Sequence, residues 1–314
     1  MQTLRLGGAA RSAQSAAVTL AALYDVPAPA KLNLFLHVIG RRADGYHLLQ
    51  SVFVLIDWAD ILHFERRTDG RLQRHDLGAA LPADDLTLSA ARMLQATSGT
   101  ALGADLSIDK HVPWAAGLGG GSSDAASTLL ALNRLWGLRW PRQRLAALAA
   151  RVGADVPFFV GGRNAFVEGI GERLNALTVP RQWFAVVKPA AGVATQDVFT
   201  HPALVRDTRA AILSGFLADA AKPGFWGQGY GRNDLQPAAE NLCPDVARAA
   251  EWLVRHFGNS RMTGSGSAVF ARNGMHDQPL ASWPAEDLPP GWVGRMCRSL
   301  DQHPLVHWAD DEPG

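Results

Sequence analysis

The segment VPWAAGLGGGSSDAAS (residues 112–127) places a cluster of glycines directly before an apolar helical pattern. The glycines are Gly117, Gly119, Gly120 and Gly121. Glycine lets the backbone approach an anion closely and adopt positive φ. The free N–H groups and the positive dipole end of the helix would face the same point. Ser122 or Ser123 could cap this helix, with Asp124 in its first turn. We therefore predict a phosphate-binding loop rather than a plain turn.

The neighbouring residues exclude the commonest phosphate-binding motifs. No Lys follows the glycines, so the Walker pattern GxxxxGK[ST] is absent. A dinucleotide-binding fold places an acidic residue about 20 positions beyond its loop. Here no Asp or Glu occurs between Asp124 and Asp155. The HRD and DFG sequences of protein kinases are also missing.

The pattern outside the loop predicts a mixture of strands and helices. Residues 30–38 alternate with period two, with four aliphatic side chains on one face and Lys31, Asn33, Phe35 and His37 on the other, which predicts a half-buried strand. Further strands are predicted at residues 51–62, 104–112, 164–168, 183–187 and 267–271, and helices at 86–96, 122–136, 141–152 and 251–257. Without a βαβ rhythm, this pattern indicates an α+β fold. Residues 222–232 are predicted to be a flexible aromatic loop, and the chain from residue 274 to be largely irregular.

Composition limits the class of protein. A net charge of +1 over 314 residues argues against a nucleic-acid-binding surface. No run approaches the roughly 18 to 20 apolar residues of a membrane span. Cys243 and Cys297 have no CxxC spacing, which fits a reducing, cytoplasmic location. Residues 1–26 resemble a weak targeting segment, but a disordered extension or an overlong start is the preferred interpretation.

Four blocks of the chain resemble the GHMP kinases. They are PWAAGLGGGSSDA (113–125), PAPAKLNLFLHVIGRRADGYHLLQS (27–51), GADVPFFVGGRNAFVEGIGE (153–172) and RMTGSGSAVFA (261–271). The second and third blocks resemble the branch of this family that acts on a cytidine diphosphate-linked methylerythritol. The match covers most of the chain, from about residue 29 to residue 271. Trp114 and Ala115 depart from the family, which more often has a smaller or aliphatic residue and Gly there.

The resemblance implies an α+β two-domain fold, with an N-terminal ribosomal-protein-like phosphate-loop domain and a C-terminal ferredoxin-like domain. We assign residues 1–26 to the extension, 27–180 and 181–305 to the domains, and 306–314 to a tail. The implied activity is ATP-dependent phosphorylation of the substrate 2-hydroxyl in the non-mevalonate route to isoprenoid precursors, with Mg²⁺ bridging the ATP phosphates. Alternatives are a homoserine or mevalonate type of kinase, or a non-catalytic binder on the same fold. A monomer and a homodimer both stay open.

Two residues are candidates for catalysis. Asp155, before Val156 and Pro157, is equally suited to be a helix N-cap or a general base, and the resemblance implies a base. The alternating pattern alone predicts that Lys31 is an ordinary exposed lysine of the strand. The resemblance implies that it pairs with Asp155 and keeps that carboxylate ionised.

Ligand-binding residues are predicted in several parts of the chain. Asn33 shares the face of Lys31 and could bind the same substrate end. The resemblance implies that Tyr46, His47 and Phe199 recognise cytosine and that Thr195 is a substrate-side hydroxyl, although a packed turn and a core phenylalanine are the simpler interpretations. A second anion nest or a tight turn is predicted at Gly264, Ser265 and Gly266. The nucleotide is expected at Pro113, Trp114, Ala115, Ala116, Gly117, Leu118, Gly119, Gly120, Gly121, Ser122 and Ser123, with Lys110 either near it or exposed. The Mg²⁺ ligands are unknown, with Ser123 one possibility.

Overall fold

A long hairpin organises the first half of the chain in the computed structural model, which describes residues 20–275 and 277–311. The six strands of the first sheet are β1 (Ala22–Arg41), β2 (His47–Arg67), β3 (Leu72–Asp76), β4 (Gly103–Asp109), β5 (Ala165–Gly169) and β6 (Arg173–Ala176). β1 pairs antiparallel with β2 along almost its full length. On its other edge β2 pairs with β5 through residues 49–53 and with β4 through residues 61–67. β3 is parallel to β4.

Four helices cover one face of this sheet. They are α1 (Leu86–Ser98), α2 (Gly120–Leu135), α3 (Arg142–Val152) and α4 (Val156–Gly161). Their apolar stripes pack on alternate residues of the hairpin, such as Phe53 and Leu55 of β2, in one continuous core. Leu129, Leu130 and Trp136, which fall at helical spacing, are buried in it. α2 is buried on nearly all sides beyond its first turn, because the other helices pack around it.

The second half of the chain forms a four-stranded antiparallel sheet with its own helices. The strands are β7 (Trp183–Lys188), β8 (Arg261–Met262), β9 (Val269–Arg272) and β10 (Val293–Arg298), in the order β10-β7-β9-β8. The helices are α5 (Thr195–Thr200), α6 (Leu213–Ala220), α7 (Phe225–Gln228), α8 (Gln236–Leu242) and α9 (Pro244–Phe257). α8 and α9 pack on one face of this sheet. The other face meets the first sheet through side chains such as Phe184 and Phe270. The molecule is thus layered as helices, sheet, sheet and helices, which confirms the α+β prediction.

The first strand differs from its prediction in two ways. It begins at Ala22, and residues 22–26 pair with the end of β2, so the expected extension over residues 1–26 does not reach Val26. Residues 1–19 lie outside the described residues. The strand is also buried on both faces rather than half-buried, because the second sheet covers its other side. An irregularity between Asn33 and Leu36 turns Phe35 into the same core as Leu32 and Leu34, which breaks the simple alternation.

The end of the described chain returns to the first domain. Leu305 and Ala309 are buried in the core beneath the four helices, and two short 3₁₀ helices lie at Ala285–Asp287 and Val306–Trp308. The side chain of Arg142 donates to the carbonyls of Val160, Val306 and Ala309. The prediction of a C-terminal domain to residue 305 followed by a separate tail is therefore wrong for this segment. β10 also lies in the stretch predicted to be irregular.

The stretch predicted to be a flexible aromatic loop is packed. Residues 225–228 form α7, and the ring of Phe225 stacks on Tyr230 with a centroid separation of 5.4 Å. Both rings contact Phe216 of α6. Over residues 20–275 and 277–311, no helix has the combined length and apolar character needed to cross a membrane.

Candidate active site

The glycine loop has the geometry of an anion-binding helix start. Gly119 is the N-cap of α2 at φ 72°, and the helix begins at Gly120. The first intrahelical bond at this end runs from Ser123 N to Gly119 O, which leaves the preceding N–H groups free to face a ligand. Gly117 is also left-handed, at φ 74°, and a Cβ there would lie 2.2 Å from the Thr263 carbonyl oxygen. Only glycine fits at position 117, where the loop touches the turn between strands β8 and β9.

The two serines differ from the prediction. Neither caps the helix, since no side chain caps α2, and the helix starts three to four residues earlier than a serine cap would place it. Ser123 is fully buried and its hydroxyl donates to the carbonyl of Pro29 at 2.7 Å. Its hydroxyl is therefore not directed at nucleotide or metal. Ser122 lines the cleft instead.

Lys31 and Asp155 come together across the fold. Lys31 is buried, with Nζ 3.7 Å from Asp155 Oδ2 and 2.5 Å from Asn33 Oδ1. Its ammonium also lies 4.6 Å from the centroid of the Phe53 ring. Burial lowers the pKa of Lys31, and Asp155 partly opposes that shift. The exposed strand lysine suggested by pattern alone is thus not what the structure contains.

Asp155 sits at the N-cap position of α4, but its side chain makes no capping hydrogen bond. The side chain is 31% exposed and lines the large cleft beside Lys31. An N-cap carboxylate that does not cap is available for other chemistry. Of the two interpretations left open by the sequence, this geometry favours the base.

Asn33 connects Lys31 to the turn between β8 and β9. Its Oδ1 accepts from Lys31 Nζ and from Gly264 N, and its Nδ2 donates to the hydroxyl of Ser51. The hydroxyl of Thr263 accepts from Asn33 N at 2.9 Å. The residue is buried and lines the large cleft beside Lys31. That Asn33 binds substrate stays a prediction.

The C-terminal glycine turn is a tight connection between β8 and β9. The N–H of Gly264 donates to Asn33, and the N–H of Gly266 donates to the Thr263 carbonyl. These two groups are engaged within a tight turn that lines the cleft, and an anion nest there stays a prediction. The hydroxyl of Ser265 lies 2.8 Å from that of Thr195 at the mouth of the cleft.

The residues expected to bind cytosine lie along one wall of the cleft. The imidazole of His47 stacks on the ring of Phe199, with centroids 5.1 Å apart and planes 28° apart. Tyr46 is 61% exposed and its ring is open to the cleft side of the loop. Burial lowers the pKa of His47, and the charges of Arg206 and Arg41 lower it further. Neutral His47 between aromatic neighbours suits a planar base.

Lys110 is neither exposed nor free. Its ammonium contacts the carboxylates of Asp60 and Asp124 beneath the start of α2. Asp60 also accepts from the backbone N–H groups of His111 and Val112. Burial, together with the charge of Asp60, raises the pKa of Asp124 to about 8 although Lys110 opposes the shift. Lys110 lines a cavity along the glycine loop, with its charge directed into this cluster.

Trp114 and Ala115 take unusual positions in the loop. The Trp114 side chain is 50% exposed beside the loop, and Ala115 adopts φ 48°, a left-handed conformation. The carbonyls of Ala115 and Ala116 accept from Ser267 N and Ala268 N, and Leu118 is buried. Pro113 and Trp114 border the smaller cavity.

Two adjoining cavities share the glycine loop. The larger, about 1240 Å³, holds Lys31, Asp155, Tyr46, His47 and Phe199 on its walls. The smaller, about 500 Å³, extends along the other side of the loop past Lys110 and Trp114. Loop residues including Gly117, Gly119 and Ser122 border both cavities. A ligand in each would meet at the loop, next to the Lys31–Asp155 pair.

Sequence reasoning missed several residues that shape this site. Thr263 and Ser51 position Asn33, and Arg206 contacts His47. Asp60 carried a signal, because an acid within the apolar strand pattern of residues 51–62 needs a buried partner. Arg206 carried none, since its segment has no periodic pattern.

Comparison with known proteins identifies the class. Residues 85–163 match the family model for the GHMP kinases N-terminal domain, and residues 208–272 match that for the GHMP kinases C-terminal region. Both matches lie within the domains expected from the sequence. The two halves of the fold are thus those of the GHMP kinases, which use ATP as phosphate donor.

Relatives with high sequence identity identify the branch of the GHMP kinases to which the chain belongs. A 4-diphosphocytidyl-2-C-methyl-D-erythritol kinase of Methylibium petroleiphilum is 64% identical over 93% of this chain and all of its own length. One from Polaromonas naphthalenivorans is 56% identical over 92% of this chain and 97% of its own. A solved structure of 4-(cytidine 5'-diphospho)-2C-methyl-D-erythritol kinase has a TM-score of 0.73 and 34% identity, covering 87% of this chain and 98% of its own. The chain belongs to the 4-diphosphocytidyl-2-C-methyl-D-erythritol kinase family of the GHMP kinases.

A more distant match bears on the fold alone. The homoserine kinase structure of Cytophaga hutchinsonii has a TM-score of 0.65 at 16% identity, covering 93% of this chain and 98% of its own. The backbone is thus shared across kinases of different acceptors, and side chains in the cleft must select among them.

Proposed function

We propose that this chain transfers the γ-phosphoryl group of ATP to the 2-hydroxyl of 4-diphosphocytidyl-2-C-methyl-D-erythritol, giving the 2-phosphate and ADP. The observation that carries the assignment to named residues is the Lys31–Asp155 pair, 3.7 Å apart, where the two cavities meet at the glycine loop. The reaction is a step of the non-mevalonate route to isoprenoid precursors. Family membership supports the reaction, and the geometry of the cleft supports the residue roles.

Asp155 serves as the general base. Its carboxylate takes the proton of the substrate hydroxyl as that oxygen forms a bond to the γ-phosphorus and the bond from phosphorus to the ADP oxygen breaks. Lys31 places a positive charge beside this carboxylate and orients the hydroxyl. Asn33 holds the Lys31 ammonium in place through its Oδ1. The base, its cation and the support of that cation thus lie on rigid secondary structure.

The glycine loop holds the ATP phosphates. The free N–H groups at the start of α2 and the positive end of its dipole face the point where the cavities join. The nucleoside lies in the smaller cavity, along Pro113 and Trp114. The charge of Lys110 is already neutralised by Asp60 and Asp124, so its role there is to hold the base of the loop.

The substrate base lies against the aromatic wall of the larger cavity. Tyr46 and Phe199 offer faces for stacking, and His47 offers a hydrogen bond to the base edge. Thr195 and Ser265 lie between this wall and the loop, where the substrate diphosphate would pass. The two ligands therefore approach Asp155 from opposite sides.

Mg²⁺ would neutralise charge on the phosphates during transfer. Among the described residues no group of three acidic, histidine or cysteine side chains could hold a metal. The donors present fit an ion that arrives with the nucleotide and takes few protein ligands, as Mg²⁺ commonly does. The oxygen donors that line the cleft nearest the loop are the Ser122 hydroxyl and the Asp155 carboxylate.

The test is a direct assay. Purified protein with ATP, Mg²⁺ and 4-diphosphocytidyl-2-C-methyl-D-erythritol should release ADP, and ³¹P NMR should show a new phosphomonoester on the substrate. The same enzyme with homoserine or mevalonate should release none. Turnover of either of those, without turnover of the cytidine substrate, would overturn the assignment.

We propose a cytoplasmic protein that binds neither nucleic acid nor membrane, consistent with its near-neutral charge and free cysteines.

A further inference from the structure

The guanidinium of Arg206 lies against the imidazole of His47, on the wall of the larger cavity. Arg206 donates from Nε to Nε2 of His47 at 3.2 Å. Its terminal nitrogens donate to the backbone carbonyls of Leu204, Phe199 and His201, at 2.9 to 3.1 Å. These bonds hold the guanidinium in the segment that follows α5. Arg206 thus contacts one edge of the His47 ring. Through its bond to the Phe199 carbonyl it also holds the residue whose ring stacks on His47.

This contact decides where the imidazole carries its proton. An arginine side chain has only donors and stays charged, so the nitrogen that it faces must be an acceptor. Nε2 of His47 is therefore unprotonated, and the neutral ring carries its proton on Nδ1. The guanidinium of Arg206 and that of Arg41 both oppose a second proton on the ring, as burial does. The ring thus stays neutral with one defined tautomer.

We propose that Arg206 is a positioning residue that presents His47 to the substrate base as a hydrogen-bond donor through Nδ1–H. This inference rests on the proposed function, because it requires a base in the larger cavity. No acceptor for Nδ1 of His47 is found within the described part of the chain. Cytosine accepts at O2 and N3, whereas uracil accepts at O2 but carries a proton on N3. A donor fixed at Nδ1 that meets N3 therefore favours cytosine, because the N3–H of uracil opposes it.

The first experiment reads the tautomer directly. Protein labelled with ¹⁵N only in histidine is compared with the His47→Gln variant to assign the His47 signals. In the wild-type protein at pH 7, Nδ1 should show the shift of a protonated nitrogen and Nε2 that of an unprotonated one. A proton on Nε2, or on both nitrogens, would overturn the proposal without any variant of Arg206.

The second experiment uses CDP and UDP as probes in calorimetric titrations. Arg206→Gln should mix the His47 tautomers, weaken CDP binding by about five- to tenfold, which corresponds to one lost hydrogen bond, and narrow the preference for CDP over UDP. Arg209→Gln removes a cation from the same segment at an exposed position and should change neither quantity. Retention of the wild-type tautomer in Arg206→Gln, even with weaker CDP binding, would show a merely structural role and contradict the proposal.

The two hypotheses fail in different ways. If the wild-type protein bound neither CDP nor the cytidine-linked substrate, the proposed function would be wrong whatever the tautomer. If it bound CDP tightly but no better than UDP, the substrate class would stand and the role of His47 as a selective donor would be lost. A Michaelis constant for ATP that stays within about twofold in Arg206→Gln would locate the effect on the cytidine side.

Discussion

The Lys31 ammonium lies 3.7 Å from the carboxylate of Asp155, at the point where strand β1 and the start of helix α4 meet. The lysine is buried and the aspartate faces the cleft. The carboxylate is thus held beside a positive charge while its other side stays open to a ligand in the cleft.

Asp155→Asn should lower kcat on the order of 10² to 10⁴-fold, because an amide cannot accept the proton of the substrate hydroxyl. ATP affinity should be retained, since the nucleotide lies on the other side of the loop. Steady-state kinetics and a nucleotide titration measure the two quantities. Asp207→Asn, the same change at an exposed site, is the control. A kcat near that of the wild type would refute the base assignment.

Gly117→Ala should destabilise the protein and impair ATP binding together. Its φ is 74°, and the new Cβ would lie 2.2 Å from the Thr263 carbonyl oxygen, so the loop and the C-terminal turn must separate. Gly121→Ala is the matched control for stability, because its Cβ would meet only Leu86, at 4.0 Å. Thermal unfolding of both variants checks the prediction. Equal melting temperatures for the two would show that the contact with Thr263 is unimportant.

The stability of Asp124→Asn relative to the wild type should increase with pH. Burial raises the pKa of Asp124 to about 8 in the folded protein, whereas an unfolded aspartate has a pKa of about 4. Stability from the protonated group is therefore present at low pH and is lost as pH rises through about 8. The Asp124→Asn variant has no ionisable group at this position, so its stability does not fall for this reason. Melting temperatures between about pH 5 and pH 8.5 should diverge in favour of the variant.

Asp219→Asn is the control for this pH series, because Asp219 is an exposed partner of Lys222 and exposed pairs contribute little. Its melting temperature should follow the wild type at every pH. A difference between Asp124→Asn and the wild type that stays constant or shrinks with rising pH would mean that Asp124 is ionised in the folded protein.

Phe199→Leu should raise the Michaelis constant for the cytidine substrate and leave that for ATP unchanged. Loss of stacking on one base costs about 1–3 kcal/mol, or roughly five- to 150-fold in affinity. Leucine keeps the apolar contact of Phe199 with the core between the second sheet and helices α8 and α9, so the fold should survive. Phe199→Tyr retains the ring and should behave like the wild type. Similar kinetics in both variants would exclude stacking.

Arg142→Ala should lower the free energy of unfolding by about 2–4 kcal/mol, because several charge-assisted hydrogen bonds are lost together. The side chain bonds to Val160 at the end of α4 and to Val306 and Ala309 in the returning C-terminal segment. Denaturant unfolding measures the change. Arg151→Ala, an exposed arginine of the same helix, should change it by less than about 0.5 kcal/mol. A loss for Arg142→Ala no larger than that would show that the C-terminal segment adds little stability.

Prediction from the sequence succeeded where the signal was local. The helix expected over residues 86–96 is α1, and the apolar pattern after the glycines is α2. Lys31 and Asn33 share a face because alternate residues of a strand do. The degree of burial of β1 was missed, because its leucine face packs against the second sheet while Lys31 and Asn33 lie on the helix side of the strand and line the cleft.

The sequence by itself determined the glycine loop and the helix after it, since positive φ at Gly117 and Gly119 and a following helix are local requirements that residue types reveal. It also supplied Lys31 and Asp155 as candidates. Only the tertiary structure decided which side chains face the ligand. The hydroxyl of Ser123 donates to the Pro29 carbonyl, and the ammonium of Lys110 contacts two carboxylates. The side chain of Asn33 accepts from the turn between β8 and β9. Each of these partners is distant in sequence, and hydrogen-bond pairing in a packed interior depends on how sheets and helices stack, which periodicity does not encode.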